Sequence, residues 1–215
     1  YEILIGLVGS EMCIRDSLKD AFITIIRIRS QLIRYKINMI LGKIIYASPE
    51  KHFFHIHSYY TDNDKWQKGL VFSTKEFNRI GSITNPLKKI REAEFERVRN
   101  ELYNNMPSRY SCLFLSDSIK SAAYWAQTIK NRTGNIQCLE IELLSGKYVY
   151  VDEQIYNIED FTKDYMQEEA NSYWCGDRMK EGSIFTVLFE GTFRVHQELP
   201  LPLSLIHISE PTRPI

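Results

Sequence analysis

The chain has 215 residues, of which 44% are hydrophobic, and its 27 basic residues equal its 27 acidic residues in number. This length predicts one domain that buries about two thirds of the surface of its unfolded chain. The zero formal charge argues against a nucleic-acid-binding protein, and no apolar run is long enough for a membrane span. The four cysteines form no Cys-x-x-Cys pair, which argues against a zinc ribbon or a disulfide framework.

Two segments near the ends of the chain differ from the rest. Residues 7–17 (LVGSEMCIRDS) and 203–214 (LSLIHISEPTRP) resemble translations of the two strands of one short transposase-type sequencing adapter. We therefore exclude residues 7–17 and the tail 203–215 from the fold prediction. An amphipathic tail is the alternative for the second segment, because several of its leucine and isoleucine side chains would be able to pack.

Residues 18–38 are rich in Ile and Arg and resemble translated AT-rich DNA. Residues 1–38 are accordingly predicted to be a leader that precedes a single domain over residues 39–202, with Met39 as its start. A basic amphipathic helix that contacts a membrane or a partner is the alternative, although its hydrophobic positions do not keep one face. The predicted domain is mildly acidic, and its three unpaired cysteines favour a reducing compartment, which we expect to be the cytoplasm.

The first half of the predicted domain contains two strands and a long helix. Residues 52–60 (HFFHIHSYY) are aromatic and β-favouring, and residues 70–73 form a second extended run. Asn85 as N-cap and Pro86 in the first turn predict the start of the helix. Its apolar stripe is predicted to contain Phe95, Val98, Leu102 and Met106, and Pro107 ends it.

The second half interleaves strands and helices irregularly, which predicts the α+β class. Residues 110–116 read as a buried strand, and Ser116 or Asp117 is the expected cap of the helix that follows. The remaining predicted elements are strands over 136–144 and 147–152, a helix over 158–173, and strands over 184–189 and 192–196. Turns are predicted at Ser145–Gly146 and near Gly191. Tyr173 and Trp174 are interpreted as core aromatics.

Three histidines lie close together in the first strand. His55 and His57 share a strand face, but no third ligand stands at a recognisable spacing, so no metal site is predicted. His52 and His57 are interpreted as partly exposed strand residues.

The sequence FFHIHS, followed after a turn-rich stretch by KGLVF, resembles the first motif of the ADP-ribosyltransferase-like superfamily. PSRYSCLFLSDS, followed by SAAYWA, is similar to the second segment of that superfamily. The stretches YVDEQIY, EEANSYWCG and LFEGTFRV resemble an uncharacterised branch with a Tyr-Trp-x-Gly signature. Together these motifs extend over residues 53–195.

The resemblance implies an α+β fold whose two sheets split around a cleft, with peripheral helices and with NAD as a substrate in the cleft. His55 would bind a ribose hydroxyl, and the main chain at His55 and Ile56 would hold the carboxamide. Arg109 would contact the pyrophosphate, with a surface ion pair as the alternative role. The aromatic side chain that stacks on nicotinamide would be Tyr110, Phe114 or Tyr124. Transfer of ADP-ribose to an unknown macromolecular acceptor is the implied activity.

The chain departs from the family pattern at the catalytic glutamate. Cleavage of the nicotinamide–ribose bond creates an oxocarbenium-like ribose, which a carboxylate stabilises. Thr186 stands where the family commonly has glutamate. Glu190, four residues later, is therefore predicted to be the catalytic carboxylate together with His55, and Glu181 is an alternative. A catalytically inactive nucleotide- or protein-binding module on the same fold is the alternative function.

Overall fold

The computed structural model describes residues 23–25, 40–133, 135–179 and 183–201. The adapter-like segments, most of the predicted leader and Glu181 lie outside the described residues. The chain divides into two units, residues 1–39 and 40–215, and the elements named below belong to the second unit. Within the described residues, the helices lack the length and apolar character needed to cross a bilayer.

The described part of this unit has mixed α+β structure, as predicted. The strands are β1 (Ile45–Tyr46), β2 (His52–Ser58), β3 (Val71–Ser73), β4 (Leu113–Leu115), β5 (Ile136–Asp152) and β6 (Phe185–Leu199). The α-helices are α1 (Pro86–Leu102), α2 (Ile119–Thr133), α3 (Glu153–Tyr156) and α4 (Lys163–Cys175).

The six strands form one antiparallel sheet that curls into a half-barrel. Strands β5 and β6 pair along nearly their whole lengths, and each has different neighbours at its two ends. At one end the order is β2-β5-β6-β3, and at the other it is β1-β5-β6-β4. One isolated bridge between Phe54 and Ser116 joins β2 to the end of β4. The curl thus brings the edge strands β2 and β4 together at a seam.

The turns predicted at Ser145–Gly146 and Gly191 are wrong, because β5 and β6 run through these positions. Gly146 and Gly191 lie directly opposite each other in the ladder, with φ angles of 125° and 154°. A Cβ atom on Gly191 would lie 2.0 Å from the carbonyl oxygen of Ser145, and one on Gly146 would lie 2.2 Å from that of Glu190. Glycine is therefore required here because the backbones of two paired strands lie close together, and not because the chain turns.

The start of α1 is confirmed, but its predicted end is four residues too late. The Asn85 side chain accepts a hydrogen bond from the backbone nitrogen of Lys88, as an N-cap should. The helix ends at Leu102, which is 64% exposed, and Met106 is buried from the following loop. Asn104 and Asn105 have low helix propensity, and Pro107 disfavours helix in the residue before it, so the final predicted turn does not form.

Two apolar clusters flank the seam. The first lies between the sheet and helices α1 and α4, and Trp174 is fully buried in it, where its Nε1 donates to the Phe95 carbonyl at 2.8 Å. The predicted core role of Tyr173 and Trp174 is thus confirmed. The second cluster packs α2 against β2 and β5 through Ile56, Ala122, Ala126, Ile136 and Cys138. The seam between β2 and β4 therefore lies beside two packed helical layers.

Candidate functional site

A cavity of about 570 Å³, the seam cavity, lies where β2 and β4 meet. Its walls come from both strands, from the first turns of α1, from α2, from α3 and from the start of β6. The side chains that give the cavity its chemical character include His55, Arg91, Glu92, Phe114, Trp125 and Thr186. Its volume falls within the range of about 300–1,000 Å³ that is typical of small-molecule and cofactor sites.

His55 projects from β2 toward β4. Its Nδ1 lies 2.8 Å from the carbonyl oxygen of Phe114. Because a carbonyl oxygen only accepts, Nδ1 carries the proton, and Nε2 is left as a hydrogen-bond acceptor. Burial lowers the pKa of His55 to about 4, so the imidazole is neutral at pH 7. The ring stacks against Trp66 at a centroid distance of 5.2 Å, which fixes its orientation.

The low pKa of His55 makes acid stability a test of this environment. The unfolded chain binds a proton at His55 near pH 6.5, whereas the folded chain binds it only near pH 4, so acidification through this window favours unfolding. Allowing for the partial exposure of the ring, we expect a loss of about 2 kcal/mol between pH 7 and pH 4 from this group. Urea unfolding of the wild type and His55→Gln at both pH values measures it. Equal losses in the two proteins would contradict the assignment.

A buried ion cluster forms the wall behind Phe114. Arg109, only 4% exposed, donates from Nε to Oε2 of Glu92 at 3.0 Å and from Nη1 to Oε1 of Glu153 at 2.8 Å. Two tyrosines complete the ion cluster, since Tyr156 donates to Glu92 at 2.6 Å and Tyr173 donates to Glu153 at 2.9 Å. Burial alone would raise the pKa of Glu92, but the Arg109 guanidinium, the Tyr156 hydroxyl and Arg79 together hold that pKa below its usual value. Both carboxylates therefore have charged and hydrogen-bonded partners.

Guanidinium groups and aromatic rings alternate along the same wall. Arg79 lies over the Phe114 ring at 4.1 Å, and Arg109 lies between Phe114 and Tyr156, at 5.1 Å and 3.8 Å. Arg91 also lies over the Tyr156 ring, at 3.9 Å. These five residues form what we call the guanidinium ladder. With Lys88 the ladder places four cations along the cavity, against two carboxylates in the ion cluster, so this wall is net positive.

Three buried polar atoms on cavity-lining residues have no hydrogen-bond partner within the described part of the chain. They are Nε of Arg91, Nε1 of Trp125 and Oγ1 of Thr186. Thr186 is 2% exposed. An unmade hydrogen bond of this kind costs about 1–3 kcal/mol, and most buried polar groups in proteins avoid that cost. These atoms are shielded from the cavity as it stands, so a polar ligand in the seam cavity would satisfy them only after small rotations of these side chains.

The structure brings four of the six predicted site residues to one cavity. His55, Ile56, Arg109 and Phe114 all line it. Arg109 is not at the surface, and its Nε and Nη1 donors contact the carboxylates of Glu92 and Glu153, so these donors are not available to a pyrophosphate.

The structure does not bring Glu190 to the seam cavity beside His55. Glu190 is absent from the walls of the seam cavity, and its side chain is 40% exposed. Its Oε1 lies 3.6 Å from Nζ of Lys147, which is its cross-strand neighbour on β5 and holds the carboxylate at the surface. Thr186, at the position where glutamate was expected, does line the cavity.

Tyr124, predicted to stack on nicotinamide, lies outside the seam cavity. Tyr124 is 43% exposed and does not line the seam cavity, whereas the next residue, Trp125, does. One position along a helix rotates the side chain by about 100°, so an error of a single residue moves the prediction from the cavity to the solvent. Tyr110, the third aromatic candidate, does not line the cavity either.

Several site residues were not predicted from the sequence. Glu92 lies three residues before Phe95, on the apolar stripe of α1, and a charge on such a stripe is a signal for a buried ion pair. Glu153 follows directly after the buried strand residues 148–152. Arg91 and Trp66 carry no comparable local signal.

The fold and site define an α+β protein with a ligand-sized cavity, positive on one wall, between two edge strands. The chain belongs to the family described as Protein of unknown function (DUF2441), whose model matches residues 27–200. The matched range includes residues 27–38, which lie in the predicted leader. A search of the curated proteins found no match.

Proposed function

We propose that this protein binds NAD in the seam cavity. The observation that carries the proposal is the contrast between two walls of one cavity. The guanidinium ladder forms a positive wall, and the side chains of Ile56, Trp125 and Ile129 form an apolar wall. NAD has the matching parts, because its pyrophosphate is anionic and its two rings have flat faces that pack against apolar side chains.

Each part of NAD has a counterpart in the cavity. Arginine side chains bind pyrophosphate through paired N–H donors, and Arg91 has a buried Nε without a partner in the described residues. The neutral Nε2 of His55 accepts a hydrogen bond from a ribose hydroxyl. Thr186 Oγ1 and Trp125 Nε1 supply further polar contacts. The predicted ADP-ribosyltransferase-like fold has two sheets around a cleft, whereas the described strands form one curled sheet. In this proposal the seam between β2 and β4 takes the place of that cleft.

Binding without transfer of ADP-ribose fits this site better than catalysis does. A transferase needs a carboxylate beside the ribose, and Thr186 stands at the expected place while Glu190 lies outside the cavity. Transfer to a macromolecular acceptor is the second candidate function. It is favoured by Glu153, whose carboxylate lines the same cavity.

Calorimetric titration of the purified chain with NAD tests the first function. We expect Arg91→Met to weaken binding at least about tenfold, since a charge-assisted hydrogen bond contributes about 1.5–3 kcal/mol. Arg97→Met is the matched control, because Arg97 lies on the same helix but pairs with Glu94 and Glu101 outside the cavity, and it should bind NAD normally. Absence of binding to the wild type at millimolar NAD, or equal affinity of both variants, would remove the proposal.

An assay for free nicotinamide in the same samples distinguishes NAD binding from transfer of ADP-ribose. Binding without release supports the binding module. Release that Glu153→Gln abolishes, with NAD affinity retained, supports transfer.

A further inference from the structure

A second group of polar side chains, two imidazoles and one carboxylate, lies on one face of three neighbouring strands. His52 on β2, Glu140 on β5 and His196 on β6 point their nitrogen and oxygen atoms to a common place, where the three ligand atoms lie within 4.8 Å of one another. We call these three residues the triad. None of them lines the seam cavity, so a ligand at the triad would bind independently of NAD.

A β-bulge brings His196 into the triad. In the ladder Glu140 faces Gln197 and Ile141 faces Val195, so His196 is an extra residue in β6. Bulges of this kind redirect a side chain and are frequent beside functional sites. Here the His196 ring lies 4.7 Å from the His52 ring, while Gln197 also reaches Glu140. In a regular strand, the side chains of residues 196 and 197 would point to opposite faces. The bulge therefore allows both side chains to lie near His52 and Glu140.

The Glu140 carboxylate is held by a separate partner. Its Oε2 accepts a hydrogen bond from Nε2 of Gln197 at 2.6 Å, and its Oε1 lies 2.8 Å from Nδ1 of His52. An outer hydrogen bond that orients a carboxylate is a regular feature of metal sites. Two ligands about 2.1 Å from one tetrahedral ion lie about 3.4 Å apart, so side-chain rotations alone would close the triad around an ion.

We propose that His52, Glu140 and His196 bind a divalent first-row transition metal ion, with zinc as the first candidate. Two imidazoles and one carboxylate form a ligand set that suits zinc and its neighbours, whereas magnesium and calcium prefer sites built from oxygen atoms. His52 and His196 also line a hollow of about 270 Å³ beside Lys68 and Arg194. Three protein ligands leave coordination positions open, and the hollow gives water or an anionic ligand access to them.

Calorimetric titration of the full chain with Zn²⁺ as the only added ligand tests the site. We expect one equivalent of Zn²⁺ to bind, and His196→Gln and Glu140→Gln each to weaken that binding at least about tenfold. Glu198→Gln is the matched control, because Glu198 is an exposed carboxylate on β6 that pairs with Gln137, outside the triad, and it should bind Zn²⁺ like the wild type. Thermal unfolding of each metal-free variant verifies that it is folded.

Co²⁺ gives an independent readout through its visible absorption bands, which report the nitrogen and oxygen ligands around the ion. We expect these bands in the wild type and in Glu198→Gln, and their loss in His52→Gln. No Zn²⁺ binding, binding that the triad variants leave unchanged, or equal affinity for Mg²⁺ would each overturn the proposal.

Discussion

Replacement of Arg109 by methionine is expected to lower the free energy of unfolding by about 3–5 kcal/mol. Arg109 is the cation that both Glu92 and Glu153 contact inside the protein, and methionine would leave two buried carboxylates without it. The hydroxyl groups of Tyr156 and Tyr173 would remain, but neutral donors do not balance two charges. Urea unfolding at neutral pH, followed by tryptophan fluorescence, measures the loss.

Two further variants separate loss of charge from loss of packing. Arg97→Met removes an arginine from a partly exposed ion-pair network on α1, where a change of about 1 kcal/mol or less is expected. Adding Glu92→Gln and Glu153→Gln to Arg109→Met removes the uncompensated charges and should recover part of the lost stability. If Arg109→Met and Arg97→Met cost the same, the ion cluster does not stabilise the wall of the seam cavity as described.

Gly191→Ala is expected to cost about 3 kcal/mol or more, which places it among the most damaging single substitutions available in the sheet. The φ angle of 154° disfavours any side chain, and the new Cβ would lie 2.0 Å from the Ser145 carbonyl oxygen. That oxygen belongs to the backbone of the paired strand, so neither β5 nor β6 is able to yield without breaking the ladder. The midpoint of urea unfolding, compared with the wild type, gives the magnitude.

Two other glycines provide graded controls for Gly191→Ala. Gly69 has a φ of 87°, but a Cβ there meets no atom within 4 Å, so alanine adds only backbone strain. Gly81 has open space and no unusual φ, so alanine should be neutral or slightly stabilising. A loss at Gly191 no larger than that at Gly69 would show that the close approach of the two strands is not what requires glycine.

The sequence predicts those elements well whose formation depends on residues close together in the chain. Asn85 and Pro86 marked the start of α1, because an N-cap acts within a single turn. A glycine does not by itself indicate which structure it belongs to, because both a tight turn and a close contact between two strands favour glycine. The sequence favours turns at Gly146 and Gly191 for this reason, whereas their pairing across the sheet is a long-range contact that no short window of sequence contains.

The site was less predictable because its contacts join distant parts of the chain. His55 is predicted only through the resemblance of its strand to a superfamily motif, and no local pattern marks the carbonyl of Phe114 as its partner. The partners of Arg109 lie 17 and 44 residues away, and its burial follows from them. Whether the side chain of Glu190 faces the cavity depends on the path of β6 and on Lys147 across the ladder. His196 joins the triad through a bulge, which shifts the alternation that sequence reasoning assumes.

Diffraction from crystals soaked in NAD measures most directly whether the seam cavity is a dinucleotide site. We expect density for a dinucleotide in the seam cavity, with its pyrophosphate beside Arg91 and a ribose hydroxyl beside Nε2 of His55. Density for NAD at another place on the molecule, or a seam cavity that contains only water at saturating NAD, would contradict NAD binding at this site.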